Sequence, residues 1–548
     1  MQFKPALLAT ALATVLGLTA CGNSGSDSQA KTSGDAKSSA TLPAGKDTLI
    51  IANGSEPATL DPTKSQDTTS SAIIRQMFEG LVSGSEKGET VPGLASKWET
   101  ADNKVWTFTL RDAKWSNGEP ITAHDAVYAL QRLTDPNTAA EYQSYLADAK
   151  VLNAEKVAAG ELPLDALGVK ALDDKTLQIT LTEAVPYLPD MFTLPVTFPV
   201  PKSVIEKYGD KWIDPANIVV SGAYKLKEWT VNSHVTLERN GEYYDNANTS
   251  IEKVQFLPIT PANGINRYLA GELDVNGIPP EMIDKMRKDL PEEMKSSEKL
   301  CTYYLRPNTV AKPFDDPRVR QALSMGLDRE IVAEILKRDA PAAFQFTPTI
   351  TQNMLETKPQ WAALDREKRN EQAIALLAEA GYNAQNPLKF EFLYSTSETG
   401  KMLAGAFGSM WQKNLANIVQ PTLNNQEWKT FLDTTNRGKF SLSMAGWCAD
   451  YNEPSSFLNI LKTSSSNNAG KYSNPQFDAV LENALKAGTT DEDRAQLYKQ
   501  AEEIIAKDTA VIPLYTAVTV RLVKPYVNGF DGQDPMDHFL VKNFSFKK

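Results

Sequence analysis

The sequence predicts a protein that combines helices and strands on several sheets, of the α/β or the α+β class. Two segments give the clearest strand signal. Residues Thr48–Ala52 are nearly all apolar, and Val105–Leu110 alternates so that Trp106, Phe108 and Leu110 share one face. Segments with helical spacing separate the strand-like segments from residue 47 onward, and no internal repeat is present. Such alternation is typical of domains in which helices cover sheets.

Five segments carry the spacing or the end signals of helices. The apolar residues of 73–81 recur on one face, with Gly80 as a possible stop. Thr122 and Asp125 form a weaker variant of the capping box, and Pro317 occupies the tolerated first turn of another helix. Further helices are predicted over 367–380 and 490–507.

Length, charge and residue counts narrow the classes of function. A chain of 548 residues with 41% hydrophobic content is ordinary globular protein and suggests two to four domains. Its formal net charge of −11 argues against broad nucleic-acid binding. Three cysteines and three histidines (His124, His234, His538) leave little material for a metal centre or a histidine-based triad. We therefore expect neither a metal nor a cofactor.

The first 20 residues have the pattern of an export signal. Lys4 precedes a short apolar run over 6–18, which is too short to span a bilayer. The run ends in Leu-Thr-Ala-Cys-Gly, which resembles a bacterial lipoprotein cleavage box with Cys21 as the acylated residue. The alternative is a plain secretory signal cut near Ala20. We predict a signal peptide over 1–20 and lipidation of Cys21.

Residues 21–46 predict a flexible tether, because they are rich in small and polar residues and nearly lack apolar ones. An acyl chain on Cys21 would hold a globular body near a membrane. In some lipoproteins an Asp directly after the acylated cysteine retains the protein at the inner membrane. Position 22 is glycine here, so the sequence is compatible with an anchor in either the inner or the outer membrane. If Cys21 is acylated, Cys301 and Cys448 remain to form one disulfide in an oxidising compartment.

Motifs for enzymatic chemistry are missing from the sequence. It contains no G-x-S-x-G, H-E-x-x-H, P-loop, G-x-G-x-x-G or C-x-x-C pattern. Distant carboxylate pairs could still act as in glycosidases. We favour a binding protein over an enzyme. A lipid-anchored hydrolase remains the alternative from another class.

The most suggestive segment surrounds Trp447. It reads Ala-Gly-Trp-Cys-Ala-Asp-Tyr-Asn-Glu-Pro and brings Trp447, Cys448 and Asp450 together. One interpretation is a buried strand end followed by a polar turn. The other is a ligand-binding wall, in which the tryptophan packs on a ligand and Asp450 pairs with a cation.

Longer blocks of sequence resemble the periplasmic oligopeptide-binding proteins, the receptors of solute-binding protein family 5 that serve ABC peptide importers. These blocks run through nearly the whole chain after the tether and keep one order. They lie at 53–56, 60–62, 104–108, 114–118, 131–138, 168–174, 221–227, 301–304, 425–433 and 445–454.

The resemblance implies an α/β fold of the class II periplasmic binding proteins, with two lobes that close on a ligand around a hinge. It implies three domains: a discontinuous domain I (47–78, 199–300 and 518–548), a small domain II (79–198) and a domain III (301–517). It also implies a disulfide between Cys301 and Cys448, and a monomer.

The resemblance further implies which residues bind the ligand. Asp450 would hold the N-terminal ammonium of a peptide, because an enclosed charge needs a partner. The remaining ligand would pair its backbone as an added strand. Roomy side-chain pockets with adaptable water would tolerate many sequences. Other implied ligand-binding residues are Trp428, Trp447, Tyr304, Gly446, Cys448, Gln66 and Thr68.

Several positions depart from the family. Gln66 stands where members carry an acidic residue near the N-terminal pocket. Positions where members use basic residues to neutralise the ligand's C-terminal carboxylate read Met444, Thr435 and Gly400, whereas Lys337 aligns with one such cation across a one-residue gap. We therefore expect an altered C-terminal anchor and a cargo that is longer, shorter or non-standard, such as a murein peptide.

The function that the resemblance implies is capture of short peptides in the periplasm and delivery to an inner-membrane ABC permease with its ATPases. The alternative within the same fold is another cargo: a murein peptide, haem, a nickel complex or a sugar. Asp450 argues against the non-peptide cargoes, because it offers a partner for an ammonium group.

Overall fold

The computed structural model describes residues 41–486 and 489–547. The predicted signal peptide (1–20), Cys21 and residues 21–40 of the predicted tether lie outside the described residues. Within the described ranges, no helix combines the length and the apolar character needed to cross a membrane.

Eighteen strands and sixteen α-helices make up the described part. The strands are β1 (Thr48–Ala52), β2 (Val82–Gly84), β3 (Thr90–Pro92), β4 (Ala95–Thr100), β5 (Val105–Leu110), β6 (Val169–Asp173), β7 (Thr176–Thr180), β8 (Tyr224–Thr230), β9 (His234–Arg239), β10 (Lys253–Leu257), β11 (Val275–Gly277), β12 (Met294–Pro307), β13 (Leu388–Ser395), β14 (Val419–Gln426), β15 (Leu442–Cys448), β16 (Ile512–Val523), β17 (Val527–Asn528) and β18 (Ser545–Phe546). The helices are α1 (Thr68–Met77), α2 (Ala123–Thr134), α3 (Tyr145–Asp148), α4 (Ala154–Ala158), α5 (Leu188–Met191), α6 (Lys202–Tyr208), α7 (Pro261–Leu269), α8 (Ile283–Asp289), α9 (Pro317–Met325), α10 (Arg329–Leu336), α11 (Arg366–Glu379), α12 (Glu398–Asn414), α13 (Trp428–Asn436), α14 (Ser455–Leu458), α15 (Pro475–Ala484) and α16 (Asp491–Asp508).

The largest sheet has ten strands in the order β14-β13-β15-β12-β16-β11-β1-β10-β9-β8. It is mixed: β1 runs parallel to β10 and β11, and β13 runs parallel to β14 and β15, whereas the other pairs are antiparallel. The predicted strand Thr48–Ala52 is confirmed at the centre of this sheet. Helices pack on its faces, as expected of an α/β protein.

A separate four-stranded antiparallel sheet has the order β4-β5-β7-β6. Trp106, Phe108 and Leu110 of β5 are buried on one face of it, as the alternation predicts. Helix α2 packs on the same core, and its N-terminus has the predicted capping box formed by Thr122 and Asp125. The sheet and the helix thus enclose one hydrophobic core.

A buried ion pair connects α2 to the segment before α1. The guanidinium of Arg132 donates to both carboxylate oxygens of Asp61, at 2.8 and 2.6 Å, and the indole N–H of Trp212 donates to one of them at 3.1 Å. A buried carboxylate is tolerated when its lone pairs are satisfied in this way. The contacts hold residues 61, 132 and 212 together although they are distant in sequence.

Strands β12 and β16 are long, and their pairing has two register shifts, of which the longer interruption lies before Thr302 and the smaller lies between Tyr303 and Tyr304. Residues 294–298 pair with 518–522 and residues 302–305 pair with 512–516, with a register shift between Glu298 and Thr302. A local break in a ladder bends the strands at that point. The predicted boundaries between domains I and III, at 300/301 and 517/518, fall at this break. The domain bounds themselves stay a prediction.

The helix predicted over 73–81 ends earlier than expected. Helix α1 stops at Met77, because Phe78 adopts an extended conformation with φ −123° and ψ 142°. Gly80 has a different role from the predicted stop. A Cβ atom at this position would lie 2.6 Å from the ring of Phe198, so close packing requires glycine.

The predicted disulfide between Cys301 and Cys448 is present. The two cysteines are register partners on β12 and β15, and they are 147 residues apart in sequence. The bond therefore fixes the neighbouring strands at the end of β15 where Asp450 follows. A cross-link over so long a loop removes much conformational freedom from the unfolded chain.

We expect the double variant Cys301→Ser/Cys448→Ser to lower the free energy of unfolding by about 2–5 kcal/mol, since the loop is no longer closed in the unfolded state. Urea titration followed by tryptophan fluorescence measures this change. Dithiothreitol should destabilise the unaltered protein and leave the variant unchanged. Equal stability of the two proteins under oxidising conditions would contradict the expected role of the bond.

Candidate ligand-binding site

Strand β15 has a free edge where it approaches the predicted site. It pairs with β12 over its whole length, but its pairing with β13 covers only Leu442 and Ser443. Residues 444–448 therefore have no strand partner on their second side among the described residues, and Gly446 is exposed. Such an edge offers backbone N–H and C=O groups to an extended ligand.

Asp450 lies just beyond this edge and is buried, with 7% of its surface exposed. Its backbone N–H donates to the hydroxyl of Ser456 at 2.8 Å, which fixes the turn after β15. The hydroxyl of Tyr142 donates to its carboxylate at 3.2 Å. No ion pair within 4.0 Å involves Asp450 in the described part of the chain, so its charge lacks a close counterion.

The electrostatic surroundings of Asp450 follow from its burial. Desolvation raises the pKa of its carboxyl to about 7, and the opposing effects of the Tyr142 hydroxyl and the Arg75 charge are smaller. The guanidinium of Arg75 is occupied elsewhere, since it donates to the carbonyl of Thr193 at 2.6 Å and contacts His538 at 3.1 Å. The site is therefore suited to a cation that arrives with the ligand.

Trp447 is held rigidly beside Asp450. Its indole N–H donates to the carbonyl of Ser456 at 2.8 Å, and its ring stacks on that of Tyr142 with a centroid distance of 6.1 Å. Tyr142 thus contacts both residues of the predicted wall. The tryptophan and Asp450 therefore share Ser456 and Tyr142 as partners, and the ligand-wall interpretation stays a prediction.

The pleat of β12 and β15 distributes the other predicted residues over two faces. Tyr304, opposite Ala445, lies on the face of Trp447 and is 2% exposed, with its ring edge-to-face against Phe346 at 4.9 Å. Tyr303 lies on the other face and is the more exposed tyrosine. A Cβ atom at Gly446 would lie 3.0 Å from its ring, so glycine allows close approach here.

The residues predicted near the N-terminal pocket lie around the start of α1 and α13. Trp428 stacks on Phe431 with a centroid distance of 5.8 Å. The side-chain oxygen of Gln66 accepts a hydrogen bond of 2.6 Å from Asn436, at the end of α13. Thr68 is exposed at the first position of α1. These contacts bring 66–68 and 428–436 together.

The positions predicted for a C-terminal anchor do not provide a free cation. The side chain of Met444 packs against the core, Thr435 is 1% exposed, and the backbone N–H of Gly400 donates to Ser397 within α12. Lys337 is exposed at the end of α10, and its ammonium group lies 3.0 Å from the carboxylate of Asp284. The altered C-terminal anchor stays a prediction.

Sequence reasoning missed several residues of this region. Tyr142 contacts Asp450 across 308 residues of sequence, and no local pattern marks it. Arg338, next to the predicted Lys337, carries a charge that lowers the pKa of Tyr303 against the stronger effect of burial. Arg306, also missed, lies on the face of Tyr304 and Trp447. Knowledge of the register between β12 and β15 would have placed Arg306 on the same face as Tyr304 and Trp447.

A comparison with protein families identifies residues 89–469 as a match to the model described as "Bacterial extracellular solute-binding proteins, family 5 Middle". The chain belongs to this family. The chain is 49% identical over 519 residues to the periplasmic oligopeptide-binding protein OppA of Salmonella typhimurium, which covers 93% of this chain and 95% of that protein. The predicted family and the class II α/β fold are confirmed.

Solved structures of two relatives show the same fold. The Haemophilus influenzae OppA complex with the peptide RPPGFSPFR has a TM-score of 0.90 and 41% identity, covering 92% of this chain and 99% of that one. The Escherichia coli murein tripeptide binding protein MppA also reaches 0.90, at 40% identity and with 93% and 100% coverage. These proteins are named for binding, not for catalysis.

The chain resembles the peptide complex of Haemophilus influenzae OppA more closely than it resembles an open form of a relative. The unliganded open form of Escherichia coli MppA gives a TM-score of only 0.64, at 40% identity and with 92% and 98% coverage. Since sequence identity is the same for both forms of that relative, the difference reflects conformation.

Across the described residues, no group of three or more His, Cys, Asp or Glu side chains could hold a metal ion.

We expect Asp450→Asn to stabilise the ligand-free protein at pH 8 more than at pH 5. The folded-state pKa of about 7 exceeds the ordinary value of 3.8, so the folded protein retains a proton that the unfolded chain has lost. The free energy of unfolding therefore falls as the pH rises from about 4 to about 7, and asparagine removes this loss. Thermal denaturation of protein stripped of ligand measures the effect.

The matched control is Asp433→Asn, because the carboxylate of Asp433 is 54% exposed and pairs with an exposed arginine. It should change the melting temperature little at either pH. A destabilised Asp450→Asn at pH 8, or the same shift at both pH values, would show that Asp450 is not an uncompensated buried charge.

Proposed function

We propose that the chain is a periplasmic receptor that captures short peptides and delivers them to an ABC-type peptide permease. The observation that carries the proposal is the buried carboxylate of Asp450, which lacks a close counterion and lies at the end of the free edge of β15. An N-terminal ammonium followed by an extended backbone matches both features. The Salmonella typhimurium relative is named as an oligopeptide-binding protein.

Closure of the site makes the ammonium important. A carboxylate removed from water without a partner costs several kcal/mol, and the same cost applies to an enclosed ammonium. When the two meet, each supplies the counterion of the other. The peptide's α-amino group has an ordinary pKa of about 7.7–8.0, so it is largely protonated at neutral pH. Peptides with a blocked amino group cannot satisfy Asp450.

The free edge of β15 explains tolerance of sequence. Residues 444–448 present backbone groups to the ligand, and every peptide backbone has the same donors and acceptors. We propose that Gly446 and Cys448 make these hydrogen bonds, and that Trp447, Trp428 and Tyr304 border the side chains. Gly446 is exposed and has no side chain, so it leaves the approach open.

The two lobes of the receptor are proposed to rotate relative to each other about the register shift at 298–302 in the β12–β16 ladder. Tyr142 and Gln66 belong to predicted domains II and I, and their partners Asp450 and Asn436 belong to predicted domain III. These contacts would separate on opening. The proposed hinge lies at 298–302, where the register shifts. A ligand that bridges the same residues would favour closure.

A murein peptide is the second candidate cargo. Met444, Thr435 and Gly400 provide no charge for a C-terminal carboxylate, and Lys337 is paired with Asp284. MppA, a murein tripeptide binding protein, resembles this chain as closely in fold as the OppA complex does. A cargo whose carboxylates lie elsewhere than at an ordinary C-terminus would suit this arrangement.

The lipid anchor, the export signal and the monomeric state remain part of the proposal. The sequence over 1–21 supports export and acylation of Cys21, and the tether would hold the receptor close to a membrane. Inner-membrane permease subunits and their ATPases are the proposed partners. No cofactor enters this function, because binding and release leave the ligand unchanged.

We expect the receptor to bind the tripeptide Ala-Ala-Ala and to lose at least about 30-fold in affinity when Asp450 becomes asparagine, since one partner of an enclosed charge pair is removed. N-acetylation of the tripeptide should cause a similar loss in the unaltered protein. It should cause little further loss in Asp450→Asn, because the pair is already broken. Isothermal titration calorimetry of the four combinations measures the coupling.

Asp433→Asn again serves as the matched control and should bind both peptides as the unaltered protein does. Mass spectrometry after incubation should recover the tripeptide intact, whereas cleavage would favour a hydrolase. Tighter binding of the murein tripeptide than of any ordinary tripeptide would support the second cargo. Failure to bind either class of peptide would refute the receptor.

We expect Cys21→Ser to move the exported protein from the membrane fraction to the soluble periplasmic fraction, since no thiol remains to be acylated. Fractionation of cells followed by immunoblotting measures the distribution. Treatment with high salt should release neither the unaltered protein nor a known lipoprotein marker. Equal membrane association of the variant and the parent would show that Cys21 does not carry an anchor.

A further inference from the structure

Arg306, on β12, differs from several other enclosed arginines in the partners of its guanidinium. Its Nε–H donates to the hydroxyl of Ser443 at 3.2 Å, it shares a hydrogen bond with the Tyr304 hydroxyl, and its guanidinium lies 5.3 Å from the ring centre of Phe440. In the described ranges, no carboxylate lies within 4.0 Å of it. A guanidinium remains protonated and has five N–H donors. Most of the donors of Arg306 therefore have no carboxylate or carbonyl acceptor among the described residues.

Several other enclosed arginines of the described part have carboxylate or carbonyl partners. Arg132 and Arg521 form ion pairs with carboxylates. Arg320 and Arg329 lack such a pair, but each donates to several backbone carbonyls, such as that of Pro513 for Arg329. Burial lowers the pKa of Arg306, and no carboxylate opposes that effect. The protein therefore retains a partly buried cation here that has no carboxylate partner among the described residues.

A small cavity of about 10 Å³, room for about one water molecule, adjoins this cation. Tyr304 and Arg306 form part of its wall, and the turn that contains Asn467 and Asn468 forms another part. The side chain of Asn468 fixes this turn through hydrogen bonds to Lys462 and Tyr472 at 3.0 and 2.7 Å. Polar groups and a positive charge thus border this small cavity.

The pocket lies on the side of the sheet where the proposed ligand would project side chains. Arg306 is opposite Ser443, which lies four residues before Trp447 on β15, or about 13 Å at 3.3 Å per residue. Trp447 and Arg306 share one face of the sheet. The neighbouring Ser466 contacts Ser144, two residues from the Tyr142 that binds Asp450.

A second contact links the pocket to the proposed site. Phe440 lies under the guanidinium of Arg306 and packs in the small cluster that Trp428 borders. The pocket is therefore flanked by Tyr304 and by the cluster of Trp428, two residues proposed to border ligand side chains. An extended ligand anchored at Asp450 would pass this face.

We propose that Arg306 binds a carboxylate of the bound peptide, so that the receptor prefers ligands with an acidic side chain. This inference rests on the proposed function and names a preference within it. The pocket opens off the face of the sheet, where alternate side chains of an added strand point. Aspartate or glutamate would supply the missing counterion and form charge-assisted hydrogen bonds. The C-terminal carboxylate is the other source of the same chemistry.

The test compares three pairs of tripeptides by isothermal titration calorimetry: Glu-Ala-Ala, Ala-Glu-Ala and Ala-Ala-Glu, each against the same peptide with glutamine. We expect the glutamate peptide to bind at least about tenfold more tightly at one position. In Arg306→Gln this preference should fall below about threefold, and Arg306→Lys should retain part of it. C-terminally amidated forms of all six peptides separate the two sources of carboxylate.

Arg437→Gln is the matched control, because Arg437 is 61% exposed and pairs with Asp433; it should keep the full preference. If amidation rather than glutamine removes the affinity that depends on Arg306, the pocket holds the C-terminus, and the carboxylate chemistry stands. Glutamate and glutamine peptides that bind equally at all positions, as acids and as amides, would overturn this inference alone. If no peptide binds, the receptor function fails with it. The comparison in the unaltered protein stays decisive if Arg306→Gln does not fold.

Discussion

The site depends on one constraint: Asp450 is buried without a close counterion. Among the residues that the structure describes, only the Tyr142 hydroxyl lies within hydrogen-bond distance of its carboxylate, and desolvation raises its pKa to about 7. A closed, empty site would thus hold either a proton or an uncompensated charge. Both states are less favourable than an ion pair, so closure and ligand binding are coupled in this part of the molecule.

The surrounding structure maintains that constraint. The disulfide fixes Cys448 to β12, Ser456 holds the backbone of Asp450 and the indole of Trp447, and the ring of Tyr142 covers both. The disulfide and the contact between Tyr142 and Asp450 join segments that are 147 and 308 residues apart in sequence. They allow little movement of Asp450 relative to the free edge of β15, so a ligand that satisfies the carboxylate also reaches the edge in register.

Sequence patterns predicted much of this fold and only part of the site. Strand β5 and the capping box before α2 follow from local alternation and spacing, and Asp450 followed from resemblance. The helix stop at Gly80 was wrong, because a contact with Phe198, 118 positions away, decides why glycine stands there. Tyr142 could not be predicted, since its role depends on a partner in another segment. The sequence also could not predict that Arg306 lacks a nearby carboxylate, because this depends on which side chains the fold places within 4.0 Å of it.

The negative charge of Asp450 and the positive charge of Arg306 consequently define which peptides the proposed site can select. Asp450 at the end of β15 is proposed to pair with a cation, and any free peptide amino group provides one. Arg306 lies on one face of the same sheet and lacks a carboxylate, a group that only some side chains provide. Backbone pairing along residues 444–448 is common to all peptides and gives affinity without choice. Discrimination between peptides must therefore come from receptor groups that only particular ligand side chains can pair with, and Arg306 is such a group.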